Sequence, residues 1–250
     1  MERQLHKLGL PFEFFEAVNG AALSEEEIAG YYDMDFYNSR PGYYKRGAMG
    51  CMLSHYFLYK KIVEEKIEVA LILEDDMVLS KNVSDKLIQL SKNVIDNEAI
   101  LLFYQSYFPI NIARSSAIPV TDHFNLYQLV SLKGIRSTAA YIINLNTAKS
   151  MYEGLMPLST FADDWKTFFD KKLLNGIRIV YPFLLDNTYQ NTTINPNEKG
   201  GKLVKKSLSF MEKNKIFPIY NLLRWRRMRN TAKSRRCFIV NEPVIDFREN

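Results

Sequence analysis

The chain has 250 residues and a net charge of +5, with 47% hydrophobic and 24% charged residues, the balance of a globular protein long enough to bury a full core. Two cysteines, Cys51 and Cys237, exclude a disulfide scaffold and give no zinc-ligand spacing, and a reducing, cytoplasmic setting is expected. No apolar run approaches the ~18 residues of a membrane span, and the opening MERQLHKLGL lacks signal-peptide character.

In chain order, residues 2–8 read as the end of a helix and residues 12–18 as a strand. Ser24 with Glu27 three positions later forms a capping box, which predicts a helix over 24–31. Residues 33–46, rich in Tyr, Asn, Gly and Pro, predict a loop able to cover a site. Residues 47–66 have helical spacing, with Cys51, His55, Leu58 and Ile62 on one stripe. Next comes VALILEDDMVLS at 69–80, an apolar run that predicts a buried strand ending in three carboxylates, Glu74, Asp75 and Asp76. Helices are expected at 83–95, 147–155 and 163–174, and strands at 99–104, 127–132, 138–144 and 177–180, with 105–126 irregular. This alternation predicts an α/β fold with a mostly parallel sheet covered by helices. From about residue 191 the pattern fades into a polar loop and a basic tail, so the chain divides into a body at 1–195 and a segment at 196–250.

The acidic triplet carries the most chemistry. Carboxylates about 5 Å apart repel by roughly 3 kcal/mol at an effective dielectric near 20, and apolar flanks offer little water to relieve it. A divalent cation with oxygen preference, Mn²⁺ or Mg²⁺, satisfies that charge and brings a phosphate with it. The alternative is a solvated acidic turn capping the helix that begins near Ser80.

Four motifs then fall into one order: FEFFEAVNG at 12–20, GAMGCMLSH at 47–55, LILEDD at 71–76 and STAAYIIN at 137–144. Together they resemble glycosyltransferase family 25, in particular its bacterial members that build lipooligosaccharide. The resemblance runs to about residue 195. It implies a GT-A type, Rossmann-like nucleotide-sugar fold and a metal-dependent, inverting hexosyltransferase, commonly a galactosyltransferase using UDP-galactose. The family opens with a short apolar strand, whereas this chain starts at the helix that follows it, so the first strand is expected to be absent.

The resemblance makes Asp76 the first metal ligand, assisted by Glu74, with Glu74 and Asp75 also toward the donor. Inversion needs a base on the side opposite the leaving phosphate, and Asp163 and Asp164 suit that role, with Asp163 preferred. Both also read as helix caps. Trp165 beside them offers an aromatic plane for an acceptor sugar. Gly47 and Gly50 permit close backbone approach, either to a neighbouring strand or to the nucleotide. Ser54 and His55 face the donor, or His55 is a buried, hydrogen-bonded imidazole. Thr138 and Tyr141 line the acceptor channel, or belong to the core.

The tail concentrates charge. Residues 199–236 hold thirteen Lys and Arg against one acid, Glu212, a local +12 that leaves −7 for the rest. Phe210, Phe217, Tyr220, Trp225 and Phe238 are interleaved or adjacent, which fits a peripheral contact with an anionic membrane surface beside a lipid-linked oligosaccharide acceptor, at the inner face of the bacterial inner membrane. Arg226 falls among Ile219, Leu222 and Leu223, so helical spacing does not separate the faces cleanly. Nucleic acid is the competing partner; the acidic body and the lack of an RNA-binding motif count against it. A non-catalytic nucleotide-sugar binder is the other alternative.

Overall fold

A computed structural model describes residues 1–40, 42, 45–80, 82–187 and 219–244. Helix α1 spans Glu2–Leu8, α2 Glu25–Tyr31 and α3 Met34–Asn38, the last lying inside the expected loop. The capping box that starts α2 is present: Ser24 Oγ accepts from the Glu27 N–H, and Glu27 accepts from the Ser24 N–H at 2.7 Å. Helix α4, Arg46–Glu64, buries Met49, Met52, Leu53, Tyr56, Tyr59 and Ile62 together with His55, a stripe turned slightly from the expected one. Strand β1 spans Val69–Leu73, β2 Met77–Val78, α5 Ser84–Ser91 and β3 Glu98–Ser106. The region read as irregular contains β4, Ile110–Ala113, and β5, Ile118–Pro119. Then follow β6 (Asn125–Gln128), β7 (Ile135–Asn144), α6 (Leu145–Gly154), α7 (Trp165–Asp170), β8 (Gly176–Tyr181), β9 (Asp186–Asn187), α8 (Ile219–Ser234) and β10 (Cys237–Val240).

The central sheet has the order β1-β7-β3-β8-β6-β5. It is mixed and mostly antiparallel, which corrects the expected parallel sheet: only β3 with β8 is a parallel pair. The reason lies in the connections. β1 and β3 are joined through α5, and β8 follows α6 and α7, so these three strands run the same way, as helical crossovers require. β7 enters without a preceding helix, runs opposite, and inserts between β1 and β3. Its alternate side chains feed cores on both faces: Tyr141 and Ile143 pack with α4 residues, while Ala140 and Ile142 pack with Leu87 and Leu90 of α5.

Residues 12–18, expected as a strand, join no sheet. Their neighbour is a helix, and the Val18 N–H donates to Ser54 Oγ at 2.8 Å instead of to another strand. Two glycines make this contact possible. A Cβ on Gly20 would lie 1.7 Å from the Arg46 carbonyl oxygen, and one on Gly50 would lie 2.5 Å from Gly20 N. Because the opposing atoms are backbone, Gly20→Ala is expected to lower stability by about 1–3 kcal/mol, the usual cost of forced overpacking. An unchanged midpoint in urea unfolding would show that the segment slides freely on α4.

The described part of the tail touches the body. β10 runs parallel to β4, with Cys237 opposite Ile110, and the Ile110 N–H donates to Arg236 O at 2.8 Å. The Arg235 guanidinium lies over the rings of Phe183 (4.0 Å) and Phe103 (4.9 Å) and donates to Asp186 Oδ1 at 3.0 Å. The rest of the expected tail, including Phe210 and Phe217, lies outside the described residues.

Candidate active site

β1 ends at Leu73, and the chain turns through Glu74, Asp75 and Asp76 into β2. The Glu74 N–H donates to Ala139 O (2.8 Å), so the turn begins where β1 parts from β7. Thr138 Oγ1 donates to Glu74 Oε1 at 3.1 Å. Burial pushes the Glu74 carboxyl up to about 7, and the charges of Asp76, Asp163 and Asp75 add to this against the Thr138 bond. Glu74 keeps an exposed edge in the turn, and the repulsion by its carboxylate neighbours is the part of that elevation a cation would remove. Asp76 Oδ1 is buried and has no hydrogen-bond partner among the described residues. Burial, then the charge of Asp75, raises the Asp76 carboxyl as well.

Across from this turn stand Asp163 and Asp164, at the start of α7. Their environments differ. Asp164 accepts from Thr167 Oγ1 (2.7 Å), Thr160 Oγ1 (3.0 Å) and Arg136 Nη1 (3.1 Å). Burial works to raise its carboxyl, but these bonds and the Arg136 charge outweigh it and hold Asp164 below the usual range. Asp163 accepts the Ser137 N–H at 3.3 Å and is raised by burial, with Arg136 and the Ser137 bond pulling the other way. One carboxyl is held low by hydrogen bonds and a guanidinium, while its neighbour is raised by burial.

The other expected site residues fall elsewhere. Trp165 is 1% exposed, its ring set edge-on against Tyr141 and Phe168, and its Nε1–H donates to Ser137 O at 3.0 Å. It therefore has no open face for an acceptor sugar. Tyr141 is equally buried, its hydroxyl 2.7 Å from His55 Nδ1 and donating to Tyr59 at 3.2 Å. Burial lowers His55 to about 4, which keeps the ring neutral at pH 7: of the two readings, the buried imidazole is the observed one. Ser54 Oγ donates to Gly50 O and accepts from Val18, so Ser54 and Gly50 serve the packing of residues 18–20 rather than a nucleotide. Gly47 is exposed in the first turn of α4. Thr138 is buried and holds Glu74, which places it in the site but not in an open channel.

Sequence reasoning did not find Arg136, Ser137 and Cys51. Each is unremarkable in its local pattern; the fold brings it to the carboxylates. The Cys51 thiol is pushed up to about 12 by burial and by the charges of Glu74 and Asp163, against a hydrogen bond with Thr138. It is an inert neighbour of the site, not a nucleophile.

No three Asp, Glu, His or Cys side chains gather as a metal-binding group among the described residues. A hard cation that takes one or two carboxylates from the protein and the rest from phosphate and water needs no such group. The orphaned Asp76 oxygen, with Glu74 close enough to raise its own proton affinity, fits that demand.

The fold is a mixed α/β sheet flanked by helices, with the carboxylates of the β1–β2 turn and of the start of α7 held by neighbouring residues of β7 where β1 and β7 part. Residues 1–166 match the sequence model of Glycosyltransferase family 25 (LPS biosynthesis protein), and the chain belongs to that family. It is similar to procollagen galactosyltransferase 2 of Homo sapiens, 34% identical over 163 residues that cover 60% of this chain and 24% of the relative. Procollagen galactosyltransferase 1-B of Xenopus laevis is 30% identical over 154 residues, 54% of this chain and 24% of that one. The lipooligosaccharide biosynthesis protein lex-1 of Haemophilus influenzae is 31% identical over 114 residues, 44% of this chain and 37% of the relative. The matched stretch thus spans about a quarter of the procollagen enzymes.

Proposed function

We propose that the chain transfers a hexose, galactose from UDP-galactose, with inversion onto a saccharide acceptor of the lipooligosaccharide type. The observation that carries this reading is that Glu74 of the acidic turn lies near enough to Asp163 to feel its charge, beside an Asp76 oxygen that is buried without a partner among the described residues, in a family of glycosyltransferases. The names of the relatives support galactose and a lipooligosaccharide product.

In this reading Asp76 and Glu74 hold Mn²⁺ or Mg²⁺. A cation held by these carboxylates would supply Lewis-acid stabilisation of the charge that develops on a leaving nucleotide. Asp163 takes the proton of the acceptor hydroxyl while that oxygen bonds to the anomeric carbon and the bond from that carbon to the diphosphate oxygen breaks on the opposite side. Arg136 keeps Asp164 anionic and bonded, so the proton has one destination. The direct test is UDP release from UDP-galactose, with and without Mn²⁺, in the presence of delipidated lipooligosaccharide or a collagen peptide. No metal-dependent release from any nucleotide sugar, alongside salt-sensitive RNA binding, would sink the transferase reading.

The membrane contact belongs to the same proposal. No helix among the described residues is long and apolar enough to cross a bilayer. α8, however, exposes Leu222 (63%), Trp225 (57%) and Met228 (43%) at helical spacing. Arg226 and Arg229 are exposed beside them, with the Arg229 guanidinium 5.5 Å from the Trp225 ring centre. Each buried apolar side chain contributes about 1.5–3 kcal/mol. The double variant Leu222→Asp, Trp225→Asp is therefore expected to weaken binding to phosphatidylserine-containing vesicles by more than about tenfold, and raised salt should weaken the parent too. Unchanged vesicle binding by the folded double variant would remove α8 as the membrane contact.

A further inference from the structure

Three consecutive residues of β7 hold three carboxylates that reach the site from different places. Arg136 Nη1 donates to Asp164 Oδ1 at 3.1 Å, the Ser137 N–H to Asp163 Oδ2 at 3.3 Å, and Thr138 Oγ1 to Glu74 Oε1 at 3.1 Å. A regular strand does not do this, because its successive N–H groups are committed to the ladder. Here the ladder is interrupted: Ala140 faces Phe103 and Arg136 faces Gln105, so β7 spends three residues where β3 spends one, Tyr104. At the centre of the bulge Ser137 has φ 93, a left-handed conformation that costs a serine but not a glycine.

We infer that Ser137 is a positioning residue, whose left-handed backbone frees its N–H from the sheet and aims it at Asp163. Its remaining groups hold that strained state in place. Ser137 O accepts from Trp165 Nε1 at 3.0 Å, and Ser137 Oγ accepts from the Ala139 N–H at 3.2 Å, which gives the bulge an amide partner that β3 no longer supplies. The buried Trp165 thus serves the site from behind. It braces the peptide that orients the base and ties the start of α7 to the bulge in β7. A glycine at 137 would adopt the same φ without strain but would lack the hydroxyl that restrains it. Serine here exchanges stability for a fixed direction of one N–H.

This inference rests on the transferase reading, in which Asp163 is the base. The test compares Ser137→Gly and Ser137→Val with the parent in thermal unfolding and in UDP-galactose turnover with Mn²⁺. Ser137→Gly is expected to unfold at the same or a higher temperature yet to lose about tenfold in kcat, with donor KM changed less than twofold. Ser137→Val, β-branched at positive φ, is expected to lose both stability and activity. Activity retained at the parental kcat in Ser137→Gly, or lost only together with stability, overturns the positioning role while leaving the transferase reading intact. A parent that turns over no nucleotide sugar overturns both.

Discussion

Asp76→Ala is expected to abolish Mn²⁺-dependent sugar transfer, a fall of about 10³-fold or more, while the protein unfolds at the same or a higher temperature. The two effects have one origin. Asp76 keeps an oxygen in a buried position with no partner among the described residues, next to two other carboxylates, and its carboxyl is raised by burial and by Asp75. Such an arrangement disfavours the free protein and favours a bound cation. Removing Asp76 relieves the repulsion and deletes the ligand together, and the electrostatic stabilisation lost from the transition state is of the several-kcal/mol size that metal and oxyanion contacts supply. Calorimetric titration with Mn²⁺ and UDP checks the ligand role apart from turnover. Full Mn²⁺-dependent transfer by this variant would exclude Asp76 as an essential ligand.

Asp163→Asn should lower kcat by about 10²-fold or more, with donor affinity nearly unchanged, because a general base typically contributes 10²- to 10⁴-fold and an amide takes no proton at neutral pH. Asp164→Asn should behave differently. Its carboxylate already serves Thr160, Thr167 and Arg136, so the amide, which lacks the charge and one acceptor, should cost stability, by about 1–2 kcal/mol, and act on rate only as far as the start of α7 shifts. Denaturation midpoints and kcat measured on both variants separate the roles. Equal, parental rates in both would reduce the acidic pair to a helix cap.

The parts of the fold that were legible are those written in short-range chemistry. Ser24 and Glu27 cap α2 through bonds spanning three residues, and five apolar residues before Glu74 specify a buried strand wherever it docks. The acidic turn was legible for the same reason, since its repulsion is a property of adjacent residues. The direction of β7 was not, because periodicity reports that a residue is in a strand and says nothing about which strand it meets. Residues 12–18 carry a strand's composition, yet their hydrogen-bonding partner is a serine on a helix. Trp165 illustrates the limit at the site: an aromatic next to two acids suggests sugar stacking, while the packed indole faces Tyr141 and Phe168 and turns its N–H to Ser137.

By itself the sequence determined the family, the strand that delivers Glu74, Asp75 and Asp76, and the candidate bases Asp163 and Asp164, because motif identity and charge clustering are local properties of the chain. Only the tertiary structure showed which of those two acids is bonded to Arg136 and two threonines and which accepts the Ser137 N–H. It also decided that His55 and Tyr141 are core residues and that the Ser137 N–H donates to Asp163. Apart from the two threonine bonds to Asp164, which span three and four positions, those properties depend on desolvation and on hydrogen bonds between residues 26 to 86 positions apart, and such contacts exist only once the sheet has assembled.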